Sequence, residues 1–286
     1  MSGSYSQLLE ATIVYLESLK QKGVRYVDVS QESVSALVKP VLRTVDSLGL
    51  RTQIPPQAVI QSSREDGPSI YDSQKLSSKD KVSAMDQLRN EILSLKKSPE
   101  LLASEANLVF GAGTVDADLM FVGEAPGVDE DREGEPFVGK AGQLLMKIIQ
   151  ATGLDREKVY IANVLKYRPD TPGKSFGNRK PRPDEIESWF PFLVRQIEII
   201  QPKVIVGLGA TAVEGLLGNM TTGITRLRGN WQSYRGVPVM PTFHPSYLLR
   251  NQSWAVKRQV WEDMMQVMER LNMPISEKQR GFFLRK

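Results

Sequence analysis

The sequence predicts an α/β fold in which a mostly parallel sheet is covered by helices on both faces. Two observations carry this. From about residue 107 onward, short apolar runs alternate with longer segments of helical spacing, the pattern of strand–helix–strand units. The apolar runs are also continuous rather than alternately polar, as expected of strands buried on both sides. A third observation sets a boundary. Residues 49–79 hold Pro55-Pro56, Gly67-Pro68 and many Ser and Gln, which is linker composition. The expected organisation is an N-terminal helical extension (1–48), a polar linker (49–80) and a folded domain (81–286).

In order along the chain, residues 5–22 show helical spacing through Leu8, Leu9, Ile13, Leu16 and Leu19. A second helix is expected over 30–47, with Ser30 as its cap, and a third over about 81–97. The domain's first strand is Leu119–Val122, followed by a helix from Gly142 to Thr152 that stops at Gly153. Val159–Ala162 is the second strand. The helix from Asp184 to Gln201 starts on acidic residues and stops at Pro202. Val204–Leu208, a helix from Ala210 to Leu217, Val237–Met240 and a long last helix from Ser253 to Leu271 complete the series.

Composition excludes several kinds of chemistry. The chain has no cysteine, so disulfides, thiol nucleophiles and cysteine-held iron–sulfur clusters are out. It has one histidine, His244, so most zinc sites and His-pair relays are out as well. No apolar run is long enough to span a membrane, and the N-terminus lacks the pattern of a signal peptide; a cytoplasmic protein is expected. Net charge is +4, but residues 163–260 carry 14 Lys+Arg against 6 Asp+Glu, a local balance of +8. Residues 116–135 carry eight acids and one arginine. A basic half of this kind is the footprint of phosphate binding, or else a solvated surface.

Open α/β sheets place their chemistry at the carboxyl ends of strands, and the loops there are the informative ones. The first is Gly123-Glu124-Ala125-Pro126-Gly127, a tight turn continuing into Asp129, Glu130 and Asp131. A metal-binding loop is one reading of those carboxylates, and a solvated acidic loop the other. Next, Phe137 sits among turn residues in Pro136-Phe137-Val138-Gly139. It is a stacking platform for a planar base, or a plug in the core. Asn163 ends the second strand, and its amide offers the donors and acceptor that suit a nucleobase edge, or that cap a turn. The run Gly207-Leu208-Gly209-Ala210-Thr211-Ala212 resembles a dinucleotide fingerprint, but the unit is third in the domain and no acid follows to hold a ribose. The fourth strand leads into His244-Pro245-Ser246-Tyr247-Leu248-Leu249-Arg250. A lone imidazole can serve as one hydrogen-bond donor, Ser246 can hold a phosphate, and the leucines beside Arg250 suit a wedge in a base stack.

These four segments, with Lys166 and Arg168-Pro169 after Asn163, resemble the family 4 uracil-DNA glycosylases in order and spacing, from about residue 95 to 271. The resemblance implies a three-layer α/β/α sandwich with a four-stranded parallel sheet. It implies hydrolysis of the N-glycosidic bond of uracil in DNA. Carried over by position, Phe137 stacks on the flipped base, Asn163 reads its edge, Glu130 blocks a thymine methyl, and His244 donates to uracil O2. Leu248 or Leu249 fills the vacated stack, while Lys166, Ser246 and Arg250 belong to the DNA-facing side. Ala125 and Gly127 line the base site. Ala125 stands where related glycosylases place an aspartate, so Glu124 is the nearest residue to position water. Members of the family typically hold a four-iron four-sulfur cluster on four cysteines. Here Tyr167 and Trp189 replace the later two, and the earlier pair falls near Lys96 and Pro99. No cofactor is expected, and aromatic packing is expected to fill that space.

The expected partner is DNA containing uracil, bound by a monomer. Residues 1–80 are expected to form an interaction module for a replication or repair protein, and Lys174, in the loop 170–178, is a further expected DNA contact. Two other readings stay open at this point: a glycosylase for another deaminated base, and a catalytically inactive DNA-binding relative.

Overall fold

The computed structural model describes residues 69–72, 75–95, 106–169, 178–218 and 222–284. The expected helices at 5–22 and 30–47, most of the linker, the positions near Lys96 and Pro99, and Lys174 lie outside the described residues.

Helix α1 (Ser78–Leu95) comes first, then strand β1 (Ala112–Gly113), β2 (Leu119–Gly123), helices α2 (Val128–Glu133) and α3 (Lys140–Ala151), and β3 (Tyr160–Asn163). Helix α4 (Pro183–Ile200), β4 (Val204–Leu208), α5 (Ala210–Leu217), α6 (Ile224–Leu227), β5 (Gln232–Tyr234) and β6 (Val237–Thr242) follow. Helices α7 (Pro245–Arg250), α8 (Trp254–Arg270) and α9 (Glu277–Arg280) close the chain. The strands form one sheet in the order β1-β3-β2-β4-β6-β5. The central four are parallel, as expected, and the edge strands β1 and β5 are antiparallel additions. Both edges are two or three residues long, too short to leave a periodic signal.

The strands' alternation divides the core. Met120 and Val122 point into one apolar layer with Leu88, Leu193, Ile197 and Leu216. Leu119 and Phe121 point into the other with Leu145, Ile149, Trp261 and Met264. This is the three-layer sandwich, with α1, α4 and α5 on one face and α3 and α8 on the other.

The linker boundary needs correcting. Ile70 is 1% exposed within the first apolar layer, and its N–H donates to Arg235 O. Tyr71 Oη donates to Pro202 O at 2.9 Å. Residues 69–72 therefore belong to the folded domain, since a free linker would leave Ile70 in water.

Candidate active site

The parallel register brings four strand ends to one edge. Gly123 pairs with Asn163 across β2 and β3, and Leu208 with Thr242 across β4 and β6. The chain steps from β3 on one side of β2 to β4 on the other, and the crevice at such a reversal is where open α/β sheets bind ligands. A cavity of about 490 Å³ opens there, lined by the loops after all four strands. Glu124, Ala125, Gly127, Glu130, Phe137, Asn163, His244, Ser246 and Arg250 are all in its wall. That brings together nine of the residues singled out from sequence.

Asn163 is the unusual wall residue. It is 1% exposed, and among the described residues neither its Oδ1 nor its Nδ2 has a hydrogen-bond partner. A buried amide left open costs free energy, and this one lies in the wall of the cavity. Its place is shaped by Gly123, where a Cβ would fall 2.3 Å from Asn163 Oδ1 and 2.6 Å from the Phe137 ring. Only glycine lets these two side chains share the end of β2.

Phe137 is held in left-handed backbone, φ 55°. The start of α3 presses against it, since a Cβ on Gly142 would overlap Phe137 O. The ring is 6% exposed, packs into the second core layer and still faces the cavity, with its centroid 5.7 Å from that of His244. The ring is thus a plug in the core that also presents a face to the cavity.

His244 is the N-cap of α7, and its Nδ1 accepts from Ser246 N at 3.1 Å. A backbone N–H can only donate, so Nδ1 is bare and the neutral ring carries its proton on Nε2. Ser246 Oγ, 2.8 Å from Nδ1, donates to the same nitrogen. Burial, and then the charge of Arg250, push the His244 pKa down to about 4. The ring is therefore a neutral donor at physiological pH. The glycine run is explained here too: Gly209, φ 90°, lies where a Cβ would be 3.0 Å from His244 Cβ. Just before His244, Thr242 Oγ1 donates to the buried Asp263 at 2.6 Å, and Asp263 is paired with Arg228. That clamp fixes the end of β6.

Glu124 is partly buried, and burial raises its pKa above the usual carboxylate value, partly offset by a hydrogen bond to Thr211 and the charge of Lys180. Thr211, Asn178, Arg179 and Lys180 line the cavity as well, and sequence reasoning passed over all four. Arg179 is held by two bonds to Glu185 and Lys180 pairs with Glu214. The run of three polar residues between Gly177 and Pro181 gives no periodic signal.

Several expected roles change. Lys166 is not on the DNA-facing surface: it is fully buried, and its Nζ donates to Asn163 O at 2.7 Å and Gln196 Oε1 at 2.5 Å. Leu248 is also ruled out as a wedge, being 5% exposed in a small apolar cluster with Phe243 and Val260, whereas Leu249 is 39% exposed. Ser246 is committed to His244 rather than standing free for a phosphate. Glu130 organises loops: its Oε2 accepts from Gly127 N, and its Oε1 from Val138 N and Gly139 N. The acidic loop is the short helix α2, with Asp129, Glu130 and Asp131 in its first turn, where negative charge suits the helix dipole. Among the described residues no group of three His, Asp or Glu is placed to hold a metal ion.

The cluster implied by the resemblance does not fit this chain. No thiolate exists to ligate it, and the rings of Tyr167 and Trp189 pack in a tilted pair with centroids 5.2 Å apart, the Phe192 ring lying 5.4 Å from that of Trp189. Both replacements are buried in the first apolar layer.

A fold with a base-sized crevice at its strand ends, an open amide and a neutral imidazole defines a class, and sequence comparison agrees with it. The chain belongs to the uracil-DNA glycosylase superfamily, whose family model matches residues 110–265. More narrowly, it is similar to the type-4 uracil-DNA glycosylase of Thermotoga maritima, 48% identical over 164 residues, covering 56% of this chain and 81% of that protein. The type-4 enzymes of Archaeoglobus fulgidus (42% identical; 59% and 84% covered) and Sulfurisphaera tokodaii (39%; 66% and 85%) are similar over comparable spans.

Proposed function

We propose that this protein hydrolyses the N-glycosidic bond of uracil in DNA, releasing the base and leaving an abasic site. The observation that carries the reading is the Asn163 amide, buried at the cavity wall with donor and acceptor both open. A base inside a duplex cannot reach such a pocket, so it is flipped out, at a cost of a few kcal/mol. Leu249, the exposed leucine of α7, fills the vacated stack, and Arg250 beside it faces the phosphates. Phe137 stacks on the extruded ring and Asn163 reads its edge.

As the bond from the sugar to the base breaks, the electron pair leaves on uracil. Nε2–H of His244 donates toward O2 and stabilises that negative charge. A neutral donor suits this work, because its pKa keeps the imidazole uncharged without an acid partner. Glu124 positions the water that adds to the sugar carbon. The relatives' printed names point to the same substrate. The spacing at 5–22 supports a partner-binding role for the residues before 69, a replication or repair protein being the partner class.

The test uses purified protein and uracil-containing oligonucleotides, single- and double-stranded, followed by alkali cleavage. Strand breaks at uracil are expected; none on either substrate would refute the proposal. His244→Ala is expected to lower the single-turnover rate by about 10²–10³-fold, the usual cost of one oxyanion donor, with DNA binding near normal. Equal loss of both would contradict its role.

A further inference from the structure

Lys166 is a buried lysine that the reaction above does not use. It is fully buried, and burial pushes its pKa down to about 7. Both acceptors of its Nζ are neutral oxygens, Asn163 O at 2.7 Å and Gln196 Oε1 at 2.5 Å. A Met or Leu would fill the space without burying an amine, so packing alone does not call for a lysine here.

The wiring around it is directional. Gln196, buried on α4, donates through Nε2 to Phe110 O at 3.0 Å and to Tyr160 Oη at 3.3 Å. Those bonds orient the amide so that Oε1 faces Lys166. The lysine's own carbonyl accepts from Val109 N at 2.9 Å. The pair thus ties the segment after β3 to α4 and to the strand of chain at 109–110. The bond to Asn163 falls on the backbone of the residue whose side chain has no hydrogen bond of its own. Among the described residues, nothing polar steers that amide from its tip. Its aim depends on where its backbone is held, and Nζ holds the carbonyl.

We propose that Lys166, oriented by Gln196, is a positioning residue that sets the aim of the Asn163 amide into the base cavity. This rests on the reading of Asn163 as the base-recognition residue. It also gives the 163–167 segment a hydrogen-bonded anchor beside the aromatic packing of Tyr167 and Trp189.

The test is a double-mutant cycle on the full chain, using single-turnover excision from a uracil oligonucleotide with thermal unfolding measured in parallel. Lys166→Met is expected to slow excision by roughly 10–100-fold, the scale on which small misplacements act, with the melting temperature unchanged or higher. In an Asn163→Ala background, followed over long incubations, Lys166→Met is expected to add no further loss. Lys166→Gln, which keeps a neutral donor, is expected to fall between wild type and Lys166→Met, and serves as the second arm if the apolar variant does not fold. A lower melting temperature with an unchanged rate would overturn the proposal by making Lys166 structural only. So would an undiminished Lys166→Met effect in the Asn163→Ala background, which would mean that it acts elsewhere. If wild type itself releases no uracil, the functional reading fails first; if wild type is active and Lys166→Met matches it, only this inference fails.

Discussion

Asn163 ends β3 and Tyr167 follows it by four residues, and both carry buried polar atoms without a hydrogen-bond partner among the described residues. Their surroundings differ. Asn163 borders the cavity at the strand ends, whereas Tyr167 is packed against Trp189 inside the first apolar layer. An unsatisfied polar group beside open space is a binding feature; one inside packing is a cost carried by the fold. The contrast teaches that the missing hydrogen bond does not mark function by itself, and that the neighbouring void does.

The sharpest way to break the contrast is Asn163→Ala. Two hydrogen bonds to the flipped base are lost, each worth about 1–3 kcal/mol in a desolvated site. The excision rate is expected to fall by roughly 10²–10⁴-fold. Stability is expected to hold or rise, since the variant removes a buried amide that nothing among the described residues satisfies. Thermal unfolding together with single-turnover kinetics checks both; a large loss of stability would mean that Asn163 is structural.

The parallel core was legible in the sequence because each central strand is a continuous apolar run. The helix from Ala210 to Leu217 matches its expected span. The two edge strands and helices α2 and α7 were not legible, because two to six residues carry no period. At the site, Phe137, Asn163 and His244 could be found because each interrupts a pattern at the end of a strand or in a turn. The fate of Lys166 could not, since a lysine in a loop reads as solvent-exposed and only the fold shows Gln196 thirty residues away accepting from it. Leu248 and Leu249 were indistinguishable in the same way, until one turn of α7 sent them to opposite sides.

On the packed side of the comparison, Trp189→Ala is expected to cost about 3–5 kcal/mol, the range for large-to-small changes at buried aromatics. Trp189 touches both Tyr167 and Phe192, so its removal opens a cavity in the first apolar layer. Denaturant unfolding measures the loss, and the excision rate well below the melting temperature is expected to stay within a few-fold of wild type. A full loss of activity in a folded variant would show that the aromatic cluster and the pocket are not separable.

The open side can be sharpened with pH. In the proposed reaction Glu124 acts as a carboxylate, and burial holds its pKa above the usual value. The rate is therefore expected to fall as pH drops through that raised pKa. His244 stays neutral until about 4, so no limb is expected near the ordinary histidine value. Glu124→Gln is expected to lower kcat/KM by about 10²-fold, the lower end for general-base work, and to leave an acid limb near 4 set by His244. A limb unchanged from wild type would assign the water to another group.

The smallest expected effect isolates the leftover polar atom. Burial raises the Tyr167 pKa, so its hydroxyl stays protonated across the working range, and Tyr167→Phe removes it while keeping the ring against Trp189. Because the hydroxyl has no partner among the described residues, no hydrogen bond there is broken. Relief of its desolvation is expected to leave stability unchanged or raise it by up to about 1 kcal/mol, with the excision rate within two-fold of wild type. A loss of more than about 1 kcal/mol in denaturant unfolding would mean that the hydroxyl is satisfied after all. The difference between Tyr167 and Asn163 would then be one of bonding, and the neighbouring void would no longer be what separates them.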